Sequence, residues 1–206
     1  MVTDADTADH IVDTVRQWVD RDVVPHASRF ELDDEFPAEM VDQMKAFGLF
    51  GATIPAEYGG LGLDHLTYAR VVEEISRGFM SLGGVINSHL IAATMILRFG
   101  TPAQRERWLP DLCSGERRAA FSLSEHDAGS DTRAIACRAS PHGDNWLVNG
   151  TKMWVTNGER AAIVALMVRT PDDNVSCLIV EKEPGSHGGS LFVSGKVEKL
   201  GYRGLE

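Results

Sequence analysis

SLSEHDAGSD, residues 122–131, follows the apolar run Ala119-Ala120-Phe121 and sets Ser122, Ser124, three carboxylates and the pair Gly129-Ser130 close together. Its polarity alone fits a solvated loop. Its position asks for more, because a helical pattern ends just before it and short β-rich runs begin just after it. The reading of this stretch decides where one structural class gives way to another.

Upstream, apolar residues recur with the helical period. In segment 37–47, Met40, Val41, Met44 and Phe47 share a face, with Pro37 suited to the first helical position and Gly48 to a stop. IPAEYGGLGL, residues 54–63, is too rich in Gly and Pro for a regular element and reads as an ordered loop. Tyr68, Val72, Ile75 and Phe79 mark a further helix. Residues 82–99, apolar almost all round, read as a separate helix buried in a bundle and shorter than a membrane span. Asn87, Ser88 and His89 interrupt that run. Thr101-Pro102-Ala103-Gln104 holds a capping box with proline in the first turn, so a helix is expected from there to about Cys113, ending at Ser114-Gly115.

Downstream, Trp146-Leu147-Val148 leads to Asn149-Gly150, and Met153-Trp154-Val155 leads to Asn157-Gly158. Asn-Gly readily takes the positive φ angles of a tight hairpin, so both pairs are expected to turn hairpins. Residues 161–168, 175–181 and 191–197 read as further strands, separated by polar turns at 171–174 and 184–189. Helices followed by strands, rather than alternating with them, imply segregated layers. The expected class is α+β: an all-helical domain over 1–117, then a mainly antiparallel β-barrel-like domain over 118–206.

The bulk numbers narrow the function. A chain of 206 residues is long enough for a sizeable core. Its 20 Lys and Arg against 30 Asp and Glu give a net charge of −10, which argues against a nucleic-acid surface. The sequence has no run of eighteen apolar residues, so no membrane span is expected. The acidic start MVTDADTADH resembles neither a signal nor a transit peptide, and a cytoplasmic location is expected. Cys113, Cys137 and Cys177 are odd in number and far apart, which suits inert thiols better than disulfides or a zinc site.

Gly129-Ser130 offers close backbone approach, N–H groups and a hydroxyl, a suitable anion cradle. On strands, Ser122 and Ser124 would share one face, and Trp154 and Thr156 another. An indole beside a hydroxyl suits a large planar heterocycle. Each feature also has an ordinary explanation, since Gly-Ser pairs are common in turns and strand tryptophans are common in cores.

Together, SLSEHDAGSD and NGTKMWVTNG (149–158) resemble the acyl-CoA dehydrogenase family, whose segments typically read LTEPxAGSD and NGxKxWITNG. FGLFGATIPAEYGGLGL, YARVVEEISRG, FGTPAQRERWLPDLCSGE and KLGYRG follow in family order over nearly the whole chain. The resemblance implies a helical N-terminal domain, a middle β domain and a C-terminal four-helix bundle, with FAD between the last two. It assigns Phe121, Leu123, Ser124, Gly129, Ser130, Trp154, Val155 and Thr156 to the FAD. Ser124 is expected toward flavin N1/O2, Thr156 toward N5, Trp154 against the ring and Gly129-Ser130 at the pyrophosphate. Ser130 is also expected to contact acyl-CoA. Two positions depart from the pattern: His126 replaces a proline, and Phe121 an aromatic hydroxyl.

The family reaction removes a proton from the α carbon and a hydride from the β carbon of an acyl thioester, and electrons pass on to an electron-transfer flavoprotein. The glutamate base of the family lies in the C-terminal domain, so the base is expected beyond residue 206, with Glu206 itself unsuited and Glu125 structural. The chain then reads as the N-terminal portion of a dehydrogenase whose complete form is a homotetramer or homodimer, and it is inactive alone. The alternatives are a non-catalytic flavin-binding or assembly subunit, and a flavin oxidase or monooxygenase of the same fold. Residues 82–99 are expected beside the acyl pocket, with Val85, Ile86 and His89 lining it; the break at Asn87-Ser88 would admit a polar or bulky acyl group, such as a sterol side chain.

Overall fold

Asp4 caps the first helix, its carboxylate accepting the Thr7 N–H at 3.0 Å. The computed structural model describes residues 3–185, 187–188 and 191–205. Helix α1 (Ala5–Trp18) buries Val12, Val15 and Trp18 and passes through a π-helical turn, Val19–Val23, into α2 (Val24–Asp33). Helix α3 (Ala38–Ala46) buries Met40, Val41 and Met44 as their spacing requires, but Pro37 is its cap and stands outside the first turn. Gly48, at φ 71°, ends this region as expected. Residues 54–63 form a loop around one short 3₁₀ turn, Ala56–Tyr58.

The two helices expected over Tyr68–Phe79 and residues 82–99 are the two halves of α4 (His65–Phe99), 35 residues long in all, which meet at a kink at Phe79 (φ −155°, ψ 104°). Its length and apolar composition would suffice to cross a membrane. However, 67% of its most apolar window is buried inside the protein, so α4 is the core helix here. The residue just before the kink marks a close approach. A Cβ on Gly78 would sit 2.5 Å from Val19 Cγ1, so only glycine lets α4 lie this close to the π-helical turn. Gly78→Ala is therefore expected to lower stability by about 1–3 kcal/mol in urea unfolding, and adding Val19→Ala should recover part of that loss. Helix α5 (Pro102–Ser114) begins at the expected capping box and ends at Gly115, φ 77°.

The first strand, β1 (Ala119–Ser122), starts just after Arg118. The sheet continues with β2 (Arg138–His142), β3 (Asn145–Asn149), β4 (Ile163–Arg169) and β5 (Val175–Glu181). Its long pairings, β4 with β5 and β2 with β3, are antiparallel; β1 runs parallel to β4, and β2 touches β4 at one position, Arg138–Arg169. The helical N-terminal region is thus followed by a mainly antiparallel β domain. Strands β6 (His187–Gly188) and β7 (Leu191–Phe192) form a separate hairpin. The expected strand 191–197 is therefore cut to two residues, and His187-Gly188 leaves the expected turn to pair. Ser186 and Gly189 of that turn, like Glu206, lie outside the described residues.

The Asn-Gly signals misplaced the hairpins. The β2–β3 turn is Gly143-Asp144, with Gly143 at φ 59°, whereas Asn149 ends β3. Met153-Trp154-Val155 is not a strand. The main core joins both regions, since Ala119, Ile163, Ala165 and Leu205 pack into the helical cluster of Trp18, Met44, Phe50, Ile75 and Leu82. A second cluster lies within the sheet around Ile135, Cys137, Ala139, Val164 and Val168. Cys113 and Cys137 are buried and Cys177 half-buried; burial raises all three thiols, Cys113 and Cys177 to about 11.

Candidate functional site

Strand β1 ends at Ser122, which is buried, so Ser124 does not continue its face as expected. The chain instead leaves the sheet and turns tightly, with the Glu125 N–H donating to the Ala128 carbonyl at 2.7 Å. His126 and Asp127 sit exposed at the tip. The Glu125 carboxylate points inward, only 8% exposed, and accepts from the Ala136 N–H at 2.7 Å, the Cys137 N–H at 3.1 Å and Lys152 Nζ at 2.7 Å. Burial acts to raise its pKa, but the Lys152 bond and the two amides outweigh it and hold the group below the usual carboxylate range. Glu125 is a structural anion with its oxygens engaged. On the far side, buried Arg169 fastens the loop by donating to the Ile135 carbonyl at 2.8 Å and to that of Arg133.

A second loop lies beside this one. Lys152 also donates to the Leu123 carbonyl at 2.8 Å, and the Met153 N–H to the Ser124 carbonyl at 2.8 Å. Trp154 then takes the left-handed region, φ 60°, and the Thr156 N–H donates back to the Trp154 carbonyl at 3.1 Å. That tight turn replaces the strand alternation expected of Trp154 and Thr156. It also leaves the indole 61% exposed, an unusual position for so large an apolar group.

Of the residues singled out in the sequence, Ser124 is brought against the segment 153–156. Phe121, Leu123, Ser124, Val155 and Thr156 are half-buried, and Gly129 and Ser130 exposed. A Cβ on Gly129 would meet nothing within 4 Å, and its φ is not positive, so nothing within the described chain demands glycine there. The resulting wall is open. A cleft of about 420 Å³ lies elsewhere, lined by Lys45, Glu116, Arg118, Glu159, Arg160 and Pro184.

The residues that anchor this wall were not found from sequence. Asn157, read as a hairpin turn, is buried at φ 66°, and its amide donates to the Val85 carbonyl at 2.9 Å and the Ala119 carbonyl at 3.2 Å. Ser88 donates to the Thr156 carbonyl at 3.1 Å and accepts from the Phe121 N–H at 3.2 Å. His89 accepts from the Ala119 N–H through Nδ1 at 3.0 Å, so Nε2 carries the proton and donates to the Leu112 carbonyl at 3.1 Å. Burial first, then the nearby Arg118 charge, push its pKa down to about 3. Ser88 and His89, within an unbroken stretch of α4, therefore dock β1 and the second loop. Val85, Ile86 and His89 are fully buried, and none of them borders the 420 Å³ cleft. The only signal was three polar residues inside an apolar helix, which demand buried partners.

Sequence models described as "Acyl-CoA dehydrogenase, N-terminal domain" and "Acyl-CoA dehydrogenase, middle domain" match residues 5–116 and 120–206. Among curated proteins, (2S)-methylsuccinyl-CoA dehydrogenase of Cereibacter sphaeroides is 37% identical over 206 residues, covering 95% of this chain and 38% of that protein. Among solved structures, a prolyl acyl carrier protein oxidase superposes with a TM-score of 0.87 at 28% identity, over 99% of this chain and 55% of its own. A Mycobacterium smegmatis glutaryl-CoA dehydrogenase in complex with FADH2 superposes with a TM-score of 0.80 at 29% identity, over 87% and 46%. The chain spans half or less of the length of the first curated relatives, 38% to 50%. With both domain models matched in order, on a fold shared with glutaryl-CoA dehydrogenase, the chain belongs to the acyl-CoA dehydrogenase family.

Proposed function

We propose that this chain supplies the flavin and acyl-CoA walls of an FAD-dependent enzyme that dehydrogenates an acyl-CoA thioester between its α and β carbons. The observation that carries this reading is the Met153 N–H bond to the Ser124 carbonyl, which joins the two segments that the family resemblance assigns to flavin. The surface there fits the group. Trp154 exposes a broad apolar face, Ser124 and Thr156 bring hydroxyls from neighbouring loops, and Gly129 borders open space. Phe121, Leu123 and Val155 complete the wall, Gly129-Ser130 would meet the pyrophosphate, and Ser130 the acyl-CoA as well. FAD, when bound, supplies the electron acceptor. Ser124, donating toward N1/O2, would stabilise the negative charge that gathers there.

Glu125 is unsuited to take the α proton, because burial and three donors commit its carboxylate to structure. The base in this reading comes from residues outside the chain, an electron-transfer flavoprotein takes the electrons, and the complete enzyme is a homo-oligomer. FAD titrated into the purified chain should bind and show a perturbed visible spectrum. Acyl-CoA should bleach it only when the C-terminal half of a dehydrogenase is supplied. Bleaching by the chain alone would mean that a base is present in it, and absence of FAD binding even with that C-terminal half supplied would remove the reading. A second reading, a flavin oxidase, is favoured by the superposition of the prolyl acyl carrier protein oxidase over 99% of the chain. Rapid reoxidation of the reduced flavin by oxygen would select it.

A further inference from the structure

Lys152 and Glu125 form an ion pair at 2.7 Å with both side chains only 8% exposed. Such a pair is a poor source of stability, because desolvating two charges offsets most of their attraction and an apolar pair of similar volume commonly does as well. What the pair offers is direction. Lys152 holds the Leu123 carbonyl, Glu125 holds the consecutive Ala136 and Cys137 amides, and the Met153 amide beside Lys152 holds the Ser124 carbonyl. Three separate segments, 123–125, 136–137 and 152–153, are thereby tied at one buried knot. Ser124 lies between two anchored residues and is anchored through its own carbonyl. Thr156 lies between this knot and the Ser88 and Asn157 contacts to α4 and β1.

We infer that Lys152 and Glu125 are positioning residues whose buried pairing sets the placement of the Ser124 loop relative to the Trp154–Thr156 loop. Its consequence for FAD rests on the flavin reading above; the placement of the loops does not. Neither side chain need touch the flavin. Both act by fixing backbone, so the hydroxyls of Ser124 and Thr156 are presented in one frame before a ligand arrives, which limits the ordering cost of binding.

Lys152→Met alone would strand a buried carboxylate and could unfold the site, so the informative protein is the double variant Glu125→Gln/Lys152→Met, which removes both charges. It is measured in three ways: thermal melting, FAD affinity by titration, and hydrogen exchange at the Ala136, Cys137 and Met153 amides. The expected result is a cooperative melt close to that of the parent, FAD affinity weaker by about tenfold or more, and faster exchange at those three amides. Lys152→Arg, which keeps the cation, should recover much of the FAD affinity. Unchanged exchange together with unchanged FAD affinity in the double variant would overturn the inference, as the pair would then be filling space. A parent chain that binds no FAD even with the C-terminal half of a dehydrogenase supplied would sink the flavin reading, while the exchange data would still decide whether the pair orders the two loops.

Discussion

Lowering the pH from about 6.5 to about 4.5 is expected to cost this protein about 2 kcal/mol of folding stability through one residue, His89. The ring is fully buried, neutral, and used at both nitrogens, by the Ala119 amide and the Leu112 carbonyl. Its pKa is about 3 in the fold against 6.5 when unperturbed. Between those values the unfolded chain takes up a proton that the folded chain refuses. The contribution is therefore whole well above pH 6.5 and is lost progressively as pH falls toward 3. The carboxylates Asp34, Glu125 and Glu181 have lowered pKa values, so what they contribute is lost as pH falls through the usual carboxylate range and below, which leaves the window above that range to histidine. Urea unfolding at the two pH values, repeated on His89→Gln, checks this. Gln can accept from Ala119 and donate to Leu112 without titrating, so the variant should lose most of the pH slope. An unchanged slope in the variant would assign it elsewhere.

Asn157→Ala is expected to cost about 3 kcal/mol, and Asn157→Gly about 2 kcal/mol. The difference comes from the backbone: at φ 66° alanine carries a left-handed penalty that glycine does not. The shared loss comes from the side-chain amide, whose removal takes a buried donor from the Val85 and Ala119 carbonyls. Both carbonyls belong to elements that frame the proposed flavin wall, α4 and β1, so FAD binding should weaken in step with stability. Chemical denaturation of the two variants beside an FAD titration measures both quantities. Equal stability for glycine and the parent would show that the side chain contributes nothing and only the turn matters.

These two residues also show how far sequence reading reached. Segregation of helices from strands was legible, because periods of 3.6 and 2 leave their mark on any amphipathic element. The capping box at Thr101 and the stops at Gly48 and Gly115 were legible for the same reason: backbone groups at helix ends need local partners, and those partners lie within a few residues. The family was legible from ordered motifs. Hairpin placement was not. Asn149-Gly150 and Asn157-Gly158 offer positive φ, but a turn residue only permits a conformation, and which strands pair is settled by burial across the sheet. Asn157 spends its left-handed backbone on a loop because its side chain finds two carbonyls far away in sequence.

What the sequence by itself determined is the set of local preferences: where helices start and stop, which faces are apolar, and which segments carry the family's chemistry. Only the tertiary structure decided what the polar residues inside apolar segments are for. Ser88 and His89 looked like an interruption of a buried helix and are the contacts that dock β1 and the second loop onto it. Lys152 and Glu125 looked like two charges in two loops and are one buried knot. The physical reason is that a buried polar group must find a partner, and no local rule in the sequence says from how far along the chain that partner will come.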